Sequence, residues 1–278
     1  EQIFSDLGIV PDFVADDSQL PLQFIHLRLA DGEYYFVSNQ GDKPISFDGI
    51  FRVTGKTPEL WNPLTQDVRD LTEYRTLTGT MKIPMFLEPY ESSFIVFRKA
   101  TDKASSHGCN YPEKKVLQTI DTPWTVAFEA GRGGHETPVV FNTLYDWSTS
   151  DDYKIKYFSG NATYSNSFKL KKLPAEEVYI DLGKVMVMAK VKVNGEYAGG
   201  VWTAPYRLNI TKFLKKGTNT VEIEVVNCWR NRLIGEKEAV PEAERFTFQT
   251  STYLNKDSEL QPSGLLGPVE IQTYNYSE

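Results

Sequence analysis

The sequence predicts an all-β protein built as two tandem β-sandwiches. Three observations carry this. Short runs of alternating apolar and polar residues recur along the chain, the period of a strand with one buried face. Turn-forming pairs punctuate the runs, among them Asp31-Gly32, Asp48-Gly49 and Asn194-Gly195. The length of 278 residues exceeds what one sandwich needs and suits two.

The elements follow in order. "LQFIHLRL" sets Ile25, Leu27 and Leu29 on one face, and Asp31-Gly32 turns the chain into "EYYFVSN". "SFDGIFRV" brings the second Asp-Gly as a further turn signal. "GTMKIPMFLEPYESSFIVFRK" reads as two strands about the turn Glu88–Glu91. Together these place a first sandwich at residues 1–100. "KATDKASSHGCNYPEKK" is polar and rich in Ser, Gly and Pro, which predicts a linker over 101–120. Strands resume at "WTVAFEA", so the second domain spans 121–278. There "VYIDLG" sets Val178, Ile180 and Leu182 on one face. "VMVMAKVKV" does the same for Val185, Val187, Ala189, Val191 and Val193, with Lys190 and Lys192 opposite. "VEIEVV" points Val221, Ile223 and Val225 inward and Glu222 and Glu224 outward. Residues 230–260 lack this alternation and carry many charges. They read as a long excursion with a short helix around Pro241–Glu244.

Composition excludes several classes of function. The net charge of -7 and the absence of any Lys/Arg block argue against a nucleic-acid surface. No apolar run approaches the roughly 20 residues of a membrane span. A chain that starts at Glu1 reads as a processed product or an excised piece, so the missing leader carries no information about compartment. Cys109 and Cys228 stand far apart and read as free thiols. No CxxC or HExxH spacing occurs, so neither metal nor cofactor is expected. Asp146, Asp151 and Asp152 in "YDWSTSDDY" offer oxygen ligands but lack the spacing and glycine of a calcium loop. A solvated turn is the preferred reading, with calcium the alternative. Gly131–Pro138, "GRGGHETP", lacks the phosphate-loop pattern. His26, His107 and His135 have no G-x-S-x-G elbow to serve. Glycosidic cleavage needs two carboxylates across a cleft. Among 37 acidic residues the sequence singles out no such pair, so no catalytic residue is assigned.

Aromatic residues make up 13% of the chain, which suits both sheets and sugar-binding surfaces. The question is sharpest in "VWTAPYRLNITKF", where Trp202, Tyr206 and Arg207 interrupt a run of strands. Corner packing is favoured for Trp202 and Tyr206. The alternative is a carbohydrate site, with Arg207, Trp229 and Arg230 as its further members, because sugars stack on aromatic faces and accept hydrogen bonds from Arg.

Several stretches resemble known families. "YFSGNATYSNSFKL", the run "VYIDLGKVMVMAKVKVNGEYAGGVWTAPYRLNITKFLKKGTNTVEIEVVNCWRNRLIG" and the closing "PSGLLGPVEIQTY" resemble the galactose-binding-like jelly roll of glycoside hydrolase family 2 relatives. "WRNRLIGE" with "SGLLGPV" is similar to the C-terminal end of the bacterial α-L-rhamnosidases of family 106. "PDF", "IHLRLADGEYYFVSN", "FRVTGKTPELWNP" and "SSFIVFRK" resemble the β-sandwich that follows the catalytic barrel there. The chain departs from the family pattern at Leu27, where a basic residue often follows the histidine. The resemblance implies a jelly roll as second domain and an upstream catalytic barrel as partner. It implies a non-catalytic, ancillary or carbohydrate-binding role in a rhamnosidase-like enzyme, secreted, periplasmic or on the surface of a bacterium. The alternatives are a free-standing carbohydrate-binding protein and a structural or adhesive sandwich pair.

Overall fold

Strand alternation resolves into two bodies in the computed structural model, which describes residues 8, 10–237, 239–248 and 253–275. Unit 1 comprises Glu1–Glu113 with Asn275–Glu278, and unit 2 comprises Lys114–Tyr274. In chain order the first strands are β1 (Phe13–Ala15), β2 (Leu22–Arg28), β3 (Glu33–Asn39), β4 (Ile45–Phe51) and β5 (Lys56–Trp61). They continue as β6 (Val68–Asp70), β7 (Tyr74–Thr76), β8 (Met81–Leu87), β9 (Ser92–Ala100) and β10 (Ser105–Ser106). Two antiparallel sheets result, ordered β1-β4-β8-β7-β10 and β2-β3-β9-β5-β6. Between them lie Phe47, Phe51, Met81, Ile83 and Leu87 from one sheet and Tyr35, Val37, Ile95 and Phe97 from the other.

One expectation for unit 1 is corrected, and one is completed. Asp48-Gly49 is no turn but sits within β4. The Asp48 carboxylate faces out, 2.6 Å from Lys82 Nζ. Gly49 faces in, where a Cβ would stand 2.8 Å from the Phe51 ring, so the glycine supplies room rather than curvature. Ile25, Leu27 and Leu29 share a face as expected; it is the outer one, and they are 60%, 52% and 54% exposed. The inward residues of β2 are Leu22, packed against the core, Phe24, at 5.1 Å from Phe13, and His26, stacked on Tyr35 at 4.0 Å. Alternation defines two faces without saying which of them meets the core.

Unit 2 continues with β11 (Glu113–Thr119), β12 (Trp124–Phe128), β13 (Val139–Phe141), the short helix α1 (Tyr153–Lys156) and β14 (Asn161–Leu170). Then come β15 (Val178–Asp181), β16 (Lys184–Met186), β17 (Met188–Val193), β18 (Glu196–Val201) and β19 (Arg207–Asn209). Last are β20 (Gly217–Val226), α2 (Arg230–Gly235), β21 (Gly264–Gly267) and β22 (Glu270–Asn275). A six-stranded sheet, β13-β12-β14-β20-β17-β18, and a four-stranded sheet, β11-β22-β15-β19, enclose one core, and β16 pairs with β21. The stretch 101–120, expected as a linker, is shared between the units: Ser105–Ser106 pairs with β7, and β11 runs beside β22.

The second core is anchored by Trp147, whose indole donates to the Tyr164 hydroxyl at 2.7 Å and stacks on its ring. The hairpin β17–β18 turns on Asn194 (φ 53°) and Gly195 (φ 84°), the left-handed pair that a two-residue hairpin demands. Register then places Val191 opposite Ile223 inside, and Lys190 opposite Glu224 outside at 3.0 Å. Val187 corrects the expectation for its run, being 44% exposed. The run is two strands, since β16 pairs with β21 and β17 with β20. Val187 falls at the change of partner, where the alternation restarts.

Ile223 is fully buried, so Ile223→Ala should cost about 2–5 kcal/mol in urea unfolding, while Glu222→Ala should cost under about 0.5 kcal/mol. Val187→Ala should resemble the latter. Comparable losses at all three positions would contradict the face assignment.

Candidate functional site

Of the four residues singled out by sequence, three keep different company. Tyr206 is half-buried and packs against the core of unit 2, and burial raises its hydroxyl pKa. Arg207, on β19, donates to the Tyr274 hydroxyl at 2.6 Å and lies 4.7 Å from that ring and 5.9 Å from Tyr179. Tyr274 in turn donates to Gln272, whose amide reaches Glu270 at 2.7 Å. Trp229 stands at the N-terminal end of α2, 6.1 Å from Phe246 and 5.4 Å from the Arg132 guanidinium. The fourth, Trp202, is 61% exposed, which corrects the expectation that it packs at a corner. The chain leaves β18 at Val201, and the buried partners fall to Val201 and Tyr206 on either side of it.

The richest constellation surrounds Trp229. Each polar side chain of "WRNR" holds a different return of the excursion. Arg230 donates to the Glu259 carbonyl at 3.1 Å, and Asn231 donates to the Gln261 carbonyl at 2.6 Å and Ser263 Oγ at 2.9 Å. Arg232 is fully buried, donating to Glu236 at 2.7 Å and to the Glu244 carbonyl at 2.6 Å, with Phe246 over its guanidinium at 4.3 Å. Glu236 also accepts from the N–H groups of Phe246 (3.1 Å) and Thr247 (3.0 Å) and from the Thr247 hydroxyl. Gly133 (φ 74°) lies against the Arg232 guanidinium, where a side chain would collide. The excursion itself holds a 3-10 turn at Glu242–Glu244, where a short helix was expected, and its residues 238 and 249–252 lie outside the described residues.

The chemistry of this end is that of a brace. Glu129 accepts from the Asn161 N–H at 3.0 Å and from Arg132 at 3.3 Å, which together hold its carboxyl below the ordinary range against the opposing effect of burial. Glu244 accepts from the Tyr153 hydroxyl at 3.0 Å. Glu129, Glu236 and Glu244 are thus each committed to local donors, and no pair of them is left facing across a cleft. Two of the three "YDWSTSDDY" carboxylates, Asp146 and Asp152, are engaged likewise. Asp146 caps the 3-10 turn Trp147–Thr149 and accepts from the Ser263 N–H at 2.9 Å. Asp152 caps α1 and meets His135 at 2.6 Å. Among the described residues no group of three His, Cys, Asp or Glu side chains could hold a metal ion. The free thiols Cys109 and Cys228 lie in different units. A groove of unit 2 is lined by Lys115, Lys169, Lys171 and Glu176 and by none of the four residues singled out above.

Sequence reasoning missed Arg132, Arg232, Glu236 and Phe246. The i,i+4 spacing of Arg232 and Glu236 was the available signal for the ion pair. Nothing local marks Phe246, which comes near Trp229 only through the excursion's fold.

These features define tandem β-sandwiches with a braced loop end and no assembled pair of catalytic carboxylates among the braced residues. The comparisons make the class more particular. The family model for alpha-L-rhamnosidase, glycoside hydrolase family 106, matches residues 1–76. The family model for the glycosyl hydrolase 2 galactose-binding domain-like fold matches residues 144–258. A rhamnosidase from Novosphingobium sp. PP1Y superposes with a TM-score of 0.85 at 37% identity, covering 98% of this chain and 26% of that one. A Formosa agariphila protein with a provisional beta-glucuronidase name is 38% identical over 158 residues, 48% of this chain and 14% of its own length. The chain is therefore rhamnosidase-like, with a galactose-binding-like second domain, and it spans about a quarter or less of these relatives.

Two outcomes are expected. Trp202→Ala should shift Tm by no more than about 2 °C, whereas Tyr206→Ala should lower it by about 5 °C in calorimetry. For Glu236, burial raises the carboxyl pKa, but the hydrogen bonds from Thr247, Phe246 and Arg232 outweigh it and the net direction is down. A depressed carboxylate stabilises the fold above its unfolded pKa of about 4.3 and loses that contribution as pH falls through the folded value. Unit 2 should therefore lose stability on acidification below about pH 4, and Glu236→Gln should flatten that part of the pH profile. An unchanged profile would contradict the assignment.

Proposed function

We propose that this chain is a non-catalytic, ancillary part of a longer glycoside hydrolase of the α-L-rhamnosidase kind, secreted and bacterial, whose catalytic barrel lies upstream. The observation that carries the proposal is the superposition of 98% of this chain on only 26% of a rhamnosidase at 37% identity. A sandwich pair of this extent is one part of such an enzyme. The engagement of Glu129, Glu236 and Glu244 by local donors supports the same reading, since an acid and a base for glycoside cleavage need freedom to exchange protons. A natural division falls between Glu113 and Lys114, with a first sandwich before it and the galactose-binding-like jelly roll after it.

A second reading, a carbohydrate-binding module, is favoured by the exposure of Trp202 (61%) and Trp229 (44%). In it Trp229, beside Phe246 and Arg132, stacks a sugar ring.

Two measurements separate these readings. The 278-residue chain should show no turnover of an aryl α-L-rhamnoside, while the product of the complete reading frame should hydrolyse it. Turnover by the short chain that survives repurification would defeat the first reading. Titration calorimetry with rhamnose- and galactose-bearing oligosaccharides should give no affinity tighter than about millimolar. A micromolar complex lost in Trp229→Ala at unchanged Tm would establish the second.

A further inference from the structure

The groove of unit 2 carries a charge opposite in sign to that of the chain around it. Four lysines, Lys115, Lys169, Lys171 and Lys172, line it with one carboxylate, Glu176, in a protein of net charge -7. Both sheets of the second sandwich contribute. Lys115 and Leu117 come from β11, the edge strand of the four-stranded sheet, and Lys169 and Leu170 from the end of β14 in the six-stranded one. Lys171, Lys172 and Pro174, from the segment after β14, complete the lining. Register explains why these charges stand unmatched. Strand β20 sets Glu224 and Glu222 opposite Lys190 and Lys192, but it sets Thr218 opposite Lys169. On β11, Lys114 pairs with Glu270 at 3.8 Å, while its neighbour Lys115 does not. Among the described residues none of the four groove lysines is engaged in an ion pair or a side-chain hydrogen bond.

We propose that this groove binds an anionic oligosaccharide, one whose rings carry carboxylate or sulfate groups; the choice of a saccharide rests on the reading of the chain as part of a glycoside hydrolase. The charge selects the anion. Ammonium groups gathered in one groove repel one another, and a ligand with several negative charges relieves that repulsion while accepting charge-assisted hydrogen bonds. The placement selects a chain of charges over a single small ion. The lysines are spread over two sheets and a connecting segment, and all four are exposed, so no buried cradle closes on one anion. Leu117, Leu170 and Pro174 add apolar surface to the same lining, which suits the C–H faces of sugar rings. The groove shares no residue with the cluster around Trp229, so the two sites are tested apart.

The test is titration calorimetry of the 278-residue chain at low ionic strength with tetragalacturonate, a sulfated carrageenan tetrasaccharide and neutral maltotetraose. At least one anionic ligand should bind tenfold or more tighter than the neutral one, and the tighter of the two identifies the source of charge. That affinity should fall with added salt. It should also fall at least tenfold in the double variant Lys169→Gln, Lys171→Gln and, separately, in Lys115→Gln, at unchanged Tm. Lys192→Gln, on the sheet face outside the groove, should leave it unchanged. Equal affinity for the neutral and both anionic ligands would overturn the proposal. So would affinity retained in the groove variants, or inorganic sulfate or a single-stranded DNA of matched charge binding as tightly as the glycan. Rhamnoside turnover by the product of the complete reading frame tests the functional reading separately. Turnover with a groove indifferent to acidic glycans would keep that reading and defeat this proposal. Acidic-glycan binding lost in the groove variants, in a longer protein without glycosidase activity, would keep the site and defeat the reading.

Discussion

The loop end of the second sandwich depends on one buried ion pair. Arg232 and Glu236 are both nearly inaccessible, and removing two charges from water costs several kcal/mol per ion unless each finds partners. Glu236 is well supplied, with Arg232, two backbone N–H groups and a hydroxyl. Arg232 is held by Glu236, the Glu244 carbonyl and the Phe246 ring. The pair thereby ties α2 to residues 244–247, and Gly133 brings the loop after β12 against the same guanidinium. Phe246 stands beside Trp229 because the segment that carries it is pinned in this way.

The strands of both units were legible because alternation is a local property. The runs around Val191 and Ile223 needed only a period of two and an Asn-Gly turn. What alternation lacks is a reference for the core. The phase of β2 was right and its direction was left open, and Val187 was misplaced because a change of strand partner leaves no mark in composition. Asp48-Gly49 failed for a different reason. A glycine serves a turn or a crowded contact equally well, and only the position of Phe51 distinguishes them. At the loop end, Trp229 was noticed as an aromatic. Its neighbours were not, since a charged stretch without periodicity reads as solvated surface whether or not one of its arginines is buried.

The two sandwiches solve the same packing problem and present opposite outer surfaces. Unit 2 covers its six-stranded sheet with cross-strand charge pairs, Lys190 with Glu224 and Lys192 with Glu222. Such pairs contribute little stability but keep a sheet face compatible with water. Unit 1 does so over only part of its outer sheet, where Glu59, 1% exposed, is bound by Arg98 at 3.1 Å and Lys99 at 3.0 Å. Its charged corner adjoins Trp61, over which Arg98 lies at 4.7 Å.

That placement of Trp61 has an optical consequence. Of the five tryptophans only Trp61 belongs to unit 1, while Trp124, Trp147, Trp202 and Trp229 all belong to unit 2. The difference in emission between the wild-type chain and Trp61→Phe therefore isolates a single fluorophore on the outer sheet face of unit 1. Its wavelength reports the polarity of whatever lies above that face, without any label attached.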